Sequence, residues 1–203
     1  MYLGSFDPVH SAHVSIPVKI KDQYLLDEII YIPTGKSPVK RKFEASSLDR
    51  MLKNATKRYD FITVSDFEVT SENVSYSVDT VRHYKSEYDN CLMRLIIGED
   101  NFVNFTEWHN YRDILSISNI IVLSRDKPFK YDKIKQLESY IVENINLFNK
   151  AESEKIHFSR SCTSNLSSTM LRDLMNQKKS IKQYVTKENF EYIKKMDFTD
   201  DFI

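Results

Sequence analysis

The sequence predicts an α/β protein built on a parallel sheet. Short apolar runs alternate with segments of helical periodicity along the chain, the pattern of strand–helix–strand units. The run at 92–98 is apolar enough to be a central strand. The chain also opens as strand, tight loop and helix start: Met1-Tyr2-Leu3 leads into Gly4-Ser5-Phe6-Asp7-Pro8-Val9-His10-Ser11-Ala12-His13.

A length of 203 residues suits one domain, 1–203, and is short for two. Hydrophobic content of 41% with 29% charged residues fits a globular chain. Lys plus Arg equals Asp plus Glu at 29 each, which argues against a nucleic-acid partner bound through bulk charge. No apolar run approaches the roughly 18 residues of a membrane span. No basic-then-apolar leader is visible, so neither a membrane partner nor export is expected. Cys91 and Cys162 are isolated and suggest neither a disulfide framework nor a zinc cluster. A reducing, cytoplasmic location is the expectation. Whether the chain forms a homo-oligomer stays open.

The elements follow in order. Residues 14–26 read as a helix, with Val14, Val18 and Leu25 apolar and Pro17 removing a helical hydrogen bond. Residues 28–33 form a compact strand ending at Pro33. A Lys-rich loop, 34–42, leaves its carboxyl end, where open α/β sheets bind ligands. Residues 46–57 form a helix with Leu48, Met51, Leu52 and Ala55 on one side and Ser46 or Ser47 as cap. Residues 61–65 are the third strand, 75–88 a helix, and 92–98 and 118–123 the fourth and fifth strands. An amphipathic helix spans 131–148 through Ile134, Leu137, Ile141 and Ile145. A short strand at 155–158, a helix after Ser167 and a last helix at 187–195 complete the chain. The three glycines, at 4, 35 and 98, each fall at a predicted loop.

The opening stretch has the chemistry of a phosphate site. A helix start exposes unpaired N–H groups beside a positive dipole end. His10 and His13, three apart on one helical face, can both reach one phosphate chain. Asp7 and Ser11 suit a helix start. Zinc pairs on a helix usually stand four apart with a glutamate between, so no metal site is predicted. Asp100, after Gly98, is placed to accept from ribose hydroxyls. Ser167-Ser168-Thr169 with Arg172 one turn on offers amides, hydroxyls and a guanidinium to an anion.

These residues carry a resemblance. The opening stretch resembles the signature of the nucleotidylyltransferase superfamily: histidine or threonine, any residue, glycine, histidine. With Ser-Phe-Asp-Pro before His10, it is similar to the bacterial nicotinate-nucleotide adenylyltransferases. Leu3 stands where a second glycine usually precedes Gly4, and Ala12 where glycine separates the histidines. A methyl group there predicts lowered nucleotide affinity rather than a lost site. Further segments resemble the family in order: weakly Pro38-Val39-Lys40, then Ser75-Tyr76-Ser77-Val78-Asp79-Thr80, Gly98-Glu99-Asp100 and Trp108. Arg125 after the fifth strand and Ser167-Ser168-Thr169-Met170-Leu171-Arg172 complete the series, which covers nearly the whole chain.

The resemblance implies a Rossmann-like nucleotidylyltransferase fold, a parallel five-to-six-stranded sheet with helices on both faces. It implies adenylyl transfer from ATP to nicotinate mononucleotide, giving deamido-NAD and pyrophosphate in NAD biosynthesis, with Mg²⁺ accompanying ATP. On that footing His13 and His10 are catalytic. Gly4, Ser5, Phe6, His10, His13, Gly98, Asp100, Ser168, Thr169 and Arg172 bind ATP. Lys40, Ser77, Trp108 and Arg125 bind the mononucleotide. Backbone N–H groups at the helix start after Ser77 and around Trp108 would favour a carboxylate over an amide. Two alternatives stay open. One is another acceptor, nicotinamide mononucleotide or phosphopantetheine. The other is a non-catalytic nucleotide-binding protein on the same fold, which Leu3, Ala12 and the short first strand support.

Overall fold

Alternation along each apolar strand sends successive side chains to opposite faces, and two separate cores result. Tyr2, Ile29, Tyr31, Ile96 and Ile121 enter one, while Leu3, Ile30, Ile32, Leu95, Ile97, Ile120 and Val122 enter the other. The computed structural model describes residues 1–35, 42–124, 131–160 and 166–196. Among these, β1 (Tyr2–Gly4), β2 (Ile29–Pro33), β3 (Ile62–Val64), β4 (Arg94–Gly98), β5 (Asn119–Leu123) and β6 (Ile156–Ser159) form one sheet. Every pairing is parallel and the order is β3-β2-β1-β4-β5-β6.

Helices cover both faces, as expected. The first core receives α1 (Ser11–Ile20), α2 (Ala45–Thr56), α7 (Ser168–Asn176) and α8 (Lys187–Lys195). The second receives α3 (Ser77–Glu87), α4 (Glu99–Phe102) and α5 (Tyr111–Ile117). Leu48, Met51 and Leu52 of α2 are fully buried, worth roughly 1.5–3 kcal/mol each. The Asn189 side-chain amide donates to the Met51 carbonyl (2.9 Å) and ties α8 onto α2. β1 pairs with β2 on one side and β4 on the other, so the chain winds outward in both directions from β1. A crevice opens at the carboxyl ends of the strands at such a reversal.

Several boundaries differ from the sequence expectation. α1 ends at Ile20 rather than 26; Leu25 lies in a left-handed turn (φ 52°) and is exposed. α2 is capped at Glu44, and Ser47 is buried within it. The predicted helix 131–148 is two pieces, a 3₁₀ segment Tyr131–Tyr140 and α6 (Ile145–Lys150). Ile141 bridges to Ile156 at the sheet edge, and the Asn144 side chain accepts from the N–H groups of Asn146 and Leu147. That cap opposes continuous helix through the segment.

The glycines mark close approaches rather than left-handed turns, since none has positive φ. Gly4 and Gly98 end strands. At Gly35 a β-carbon would stand 1.9 Å from the Glu68 carbonyl oxygen. The buried Glu68 carboxylate accepts from the Gly35 N–H (3.2 Å) and the Thr80 hydroxyl (2.6 Å). Gly35→Ala is expected to destabilise by about 1–3 kcal/mol, the usual cost of overpacking. In a thermal melt the midpoint should fall by about 2–4 °C per kcal/mol. An unchanged midpoint would mean that this contact yields freely.

Candidate active site

A cleft of about 240 Å³ lies at the carboxyl ends of β1 and β4. Gly4, Ser5, Phe6, His10 and His13 line it from the loop into α1, Gly98 and Asp100 from the end of β4, and Ser168, Thr169 and Arg172 from α7. All ten residues expected to bind ATP therefore share one cavity. Ala12 also lines it, so its methyl group forms part of the wall.

The first loop turns at Phe6, not at Gly4. Phe6 has φ 49°, a left-handed conformation that costs a non-glycine residue on the order of 1 kcal/mol or more. Packing holds it there. The Phe6 ring is buried edge-on to Tyr2 (5.1 Å between centroids) and to His13 (5.0 Å). A β-carbon on Gly4 would press on that ring at 3.0 Å, so the glycine makes room for Phe6.

Asp7 does not cap the helix. Its buried carboxylate accepts from the N–H groups of Lys42 (2.8 Å) and Phe43 (3.2 Å), stapling the segment before α2 to the loop. The cap of α1 is His10, in extended backbone, and Ser11 is the first helical residue. The histidines face the same side of the first turn, His10 as cap and His13 as its third helical residue, and both line the cleft. Their rings stack, centroids 3.6 Å apart and 15° from parallel. The His10 N–H donates to Nδ1 of His13 (3.2 Å). In a neutral imidazole that leaves the proton on Nε2, which is then a donor.

The opposite wall is bound to this loop. Ser167 caps α7 by accepting from the Met170 N–H (3.1 Å). The Ser168 hydroxyl donates to the Pro8 carbonyl (3.0 Å). Arg172 donates through Nη1 to the Asp7 carbonyl (2.5 Å) and through Nη2 to the Thr169 hydroxyl (2.9 Å). Segments 160 and more positions apart are joined by two hydrogen bonds.

The residues expected for the mononucleotide are not brought to the cleft in the same way. Lys40 and Arg125 lie outside the described residues. Ser77 opens α3, and Trp108 packs on Phe105 (5.4 Å); neither lines the cleft. Their segments do meet, through the Tyr76 and His109 rings at 4.6 Å. The Trp108 N–H donates to the Phe105 carbonyl (3.1 Å), so that donor is not offered to a ligand as the sequence suggested. Sequence reasoning missed Tyr31, whose hydroxyl donates to the His13 carbonyl (2.8 Å). Pro17 was the available signal, because it withholds a helical donor from that carbonyl.

A crevice at the strand reversal, walled by a loop-to-helix junction and a hydroxyl–arginine helix start, defines a nucleotide-binding α/β protein. Residues 1–174 match the cytidylyltransferase-like family model. The "Probable nicotinate-nucleotide adenylyltransferase" of Aquifex aeolicus (strain VF5) is 33% identical over 168 residues, 82% of this chain and 96% of that one. A protein of the same name from Legionella pneumophila (strain Paris) is 28% identical over 200 residues, 96% and 95% of the two chains. The Plasmodium falciparum nicotinic acid mononucleotide adenylyltransferase complexed with NaAD superposes with TM-score 0.75 at 18% identity, covering 98% of this chain and 96% of that one. At that identity the likeness establishes the fold. The chain belongs to the cytidylyltransferase-like family and, within it, to the nicotinate-nucleotide adenylyltransferases.

The Asp7 staple can be tested directly. Asp7→Ala removes the acceptor of two N–H groups and should cost roughly 1–3 kcal/mol in urea unfolding. Asp7→Asn, which keeps one carbonyl acceptor, should cost less. Equal stability of all three proteins would show that the staple carries no weight.

Proposed function

We propose that the chain transfers the adenylyl group of ATP to nicotinate mononucleotide, giving deamido-NAD and pyrophosphate. The observation that carries this reading is the convergence of residues from three distant segments on one cleft. The names of the relatives support it. So does the presence among the structural neighbours of adenylyltransferases complexed with NaAD and with APC.

An acceptor phosphate oxygen attacks the α-phosphorus in line. A new O–P bond forms as the bond from the α-phosphorus to the bridging oxygen of the β-phosphate breaks, and pyrophosphate leaves. Catalysis here is positioning and charge stabilisation. His13 donates from Nε2 to an α-phosphate oxygen as charge builds. His10, the first-loop amides and Arg172 hold the triphosphate, with Ser168 and Thr169 beside it. Asp100 accepts from ribose hydroxyls. The cleft's imidazole, hydroxyl and guanidinium donors fit phosphate oxygens; a Mg²⁺ ion accompanying ATP would keep most of its own waters. When bound, that ion offsets phosphate charge.

Lys40, Ser77, Trp108 and Arg125 serve the acceptor. The pyridine carboxylate faces the amino-terminal amides of α3, which are donors and favour an anion. Among the described residues no helix is long and apolar enough to cross a membrane.

The test is pyrophosphate release with ATP, Mg²⁺ and each mononucleotide offered separately. Nicotinate mononucleotide should be preferred by roughly tenfold or more in kcat/KM, since an unpaired buried polar group costs about 1–3 kcal/mol. His13→Ala should lose roughly a hundredfold in rate while keeping its circular dichroism spectrum. Equal use of both mononucleotides would remove the donor pocket. No turnover with any acceptor would favour the non-catalytic reading.

A further inference from the structure

We infer that Tyr31 is a positioning residue for adenylyl transfer: its buried hydroxyl holds the His13 carbonyl in place of the helical N–H that Pro17 lacks. The inference rests on the role of His13 proposed above.

In a regular helix the N–H of residue 17 would donate to the carbonyl of residue 13. Proline has no N–H, and its ring crowds the carbonyl four residues back. Pro17 lies inside α1 and is buried. The affected carbonyl therefore belongs to His13, the residue assigned to the α-phosphate. An under-satisfied carbonyl would leave the first turn of α1 free to shift, and a displacement of about 1 Å at a reacting group can cost roughly a hundredfold in rate.

Tyr31 supplies a donor from the sheet. It lies at the centre of β2, opposite Tyr2 of β1, and is fully buried. Its hydroxyl donates to the His13 carbonyl at 2.8 Å. Burial raises its pKa well above the ordinary tyrosine value, which keeps the hydroxyl protonated at neutral pH. The ring is locked by Tyr2 (5.2 Å) and Phe6 (5.7 Å), and Phe6 also meets the His13 ring. The His13 backbone is thus held from β2, while its ring is held by Phe6 on one side and His10 on another. The rigid sheet, rather than the helix, sets where the imidazole stands.

A double-mutant cycle separates this from a general packing role. Tyr31→Phe deletes the hydroxyl and keeps the ring. Pro17→Ala restores a backbone N–H four residues after His13. In Tyr31→Phe we expect kcat to fall roughly tenfold or more, with both KM values within about twofold. Pro17→Ala should turn over like the wild type. The double variant should recover kcat to within about threefold of wild type, because the helix then supplies the donor. Wild-type kcat in folded Tyr31→Phe would overturn the inference, and so would a double variant as slow as Tyr31→Phe. Should Tyr31→Phe fail to fold, the double variant is compared with Pro17→Ala: kcat within about threefold supports the inference, and a roughly tenfold loss overturns it. The ¹⁵N resonances of the His13 imidazole give a readout independent of turnover. They should move in Tyr31→Phe and return in the double variant, and unmoved signals would count against Tyr31. If the wild type transfers no adenylyl group, the proposed function fails, but these resonances still decide the role of Tyr31.

Discussion

The site depends on the hydrogen bonds that Arg172 and Ser168 give to the carbonyls of Asp7 and Pro8. Both walls also pack on the first core, through Phe6, Val9 and Leu171, and these bonds tie their polar edges together across the cleft. A charge-assisted bond from a guanidinium to a carbonyl is stronger than a neutral pair, and here it closes a separation of 165 positions. The side chains that tie the walls together also line the cavity. An anion bound there meets groups already held in place, so little ordering remains to be done on binding.

Much of this was legible in the sequence. The near-continuous apolar runs of β2, β4 and β5 gave away a sheet covered on both faces, because strands buried on both sides need apolar residues at successive positions. The residues of the cleft wall were readable because two motifs stand at two helix starts in the family's order; a helix cap alone would explain Ser167 to Thr169. What could not be read depends on contacts distant in sequence. Asp7 looks like a helix cap until the N–H groups of Lys42 and Phe43 are seen to claim it. The break at 141–144 is hidden, since Ile141 fits a helical stripe as well as a sheet-edge bridge. Ser77 and Trp108 were placed by resemblance, and the structure brings their segments to each other rather than to the cleft.

Local rules fail where the site is built. Phe6 adopts a left-handed backbone without being glycine, and α1 carries a proline at its seventh residue. Each irregularity is answered by a partner from elsewhere: the ring of Phe6 by Tyr2 and Tyr31, the His13 carbonyl by the Tyr31 hydroxyl. Such conflicts between local preference and fold are expected at functional sites. A larger cavity of about 310 Å³, lined by Gln23, Glu143, His157 and Arg160 among others, lies elsewhere.

The central claim is that the triphosphate is received between the first loop and α7. Backbone amide NMR during titration with ATP and Mg²⁺ tests it most directly. The predicted result is that the largest shifts fall on Gly4 to His13, Gly98 to Asp100 and Ser167 to Arg172. Shifts centred instead on Gln23, Glu143, His157 and Arg160, with the first loop unmoved, would contradict it.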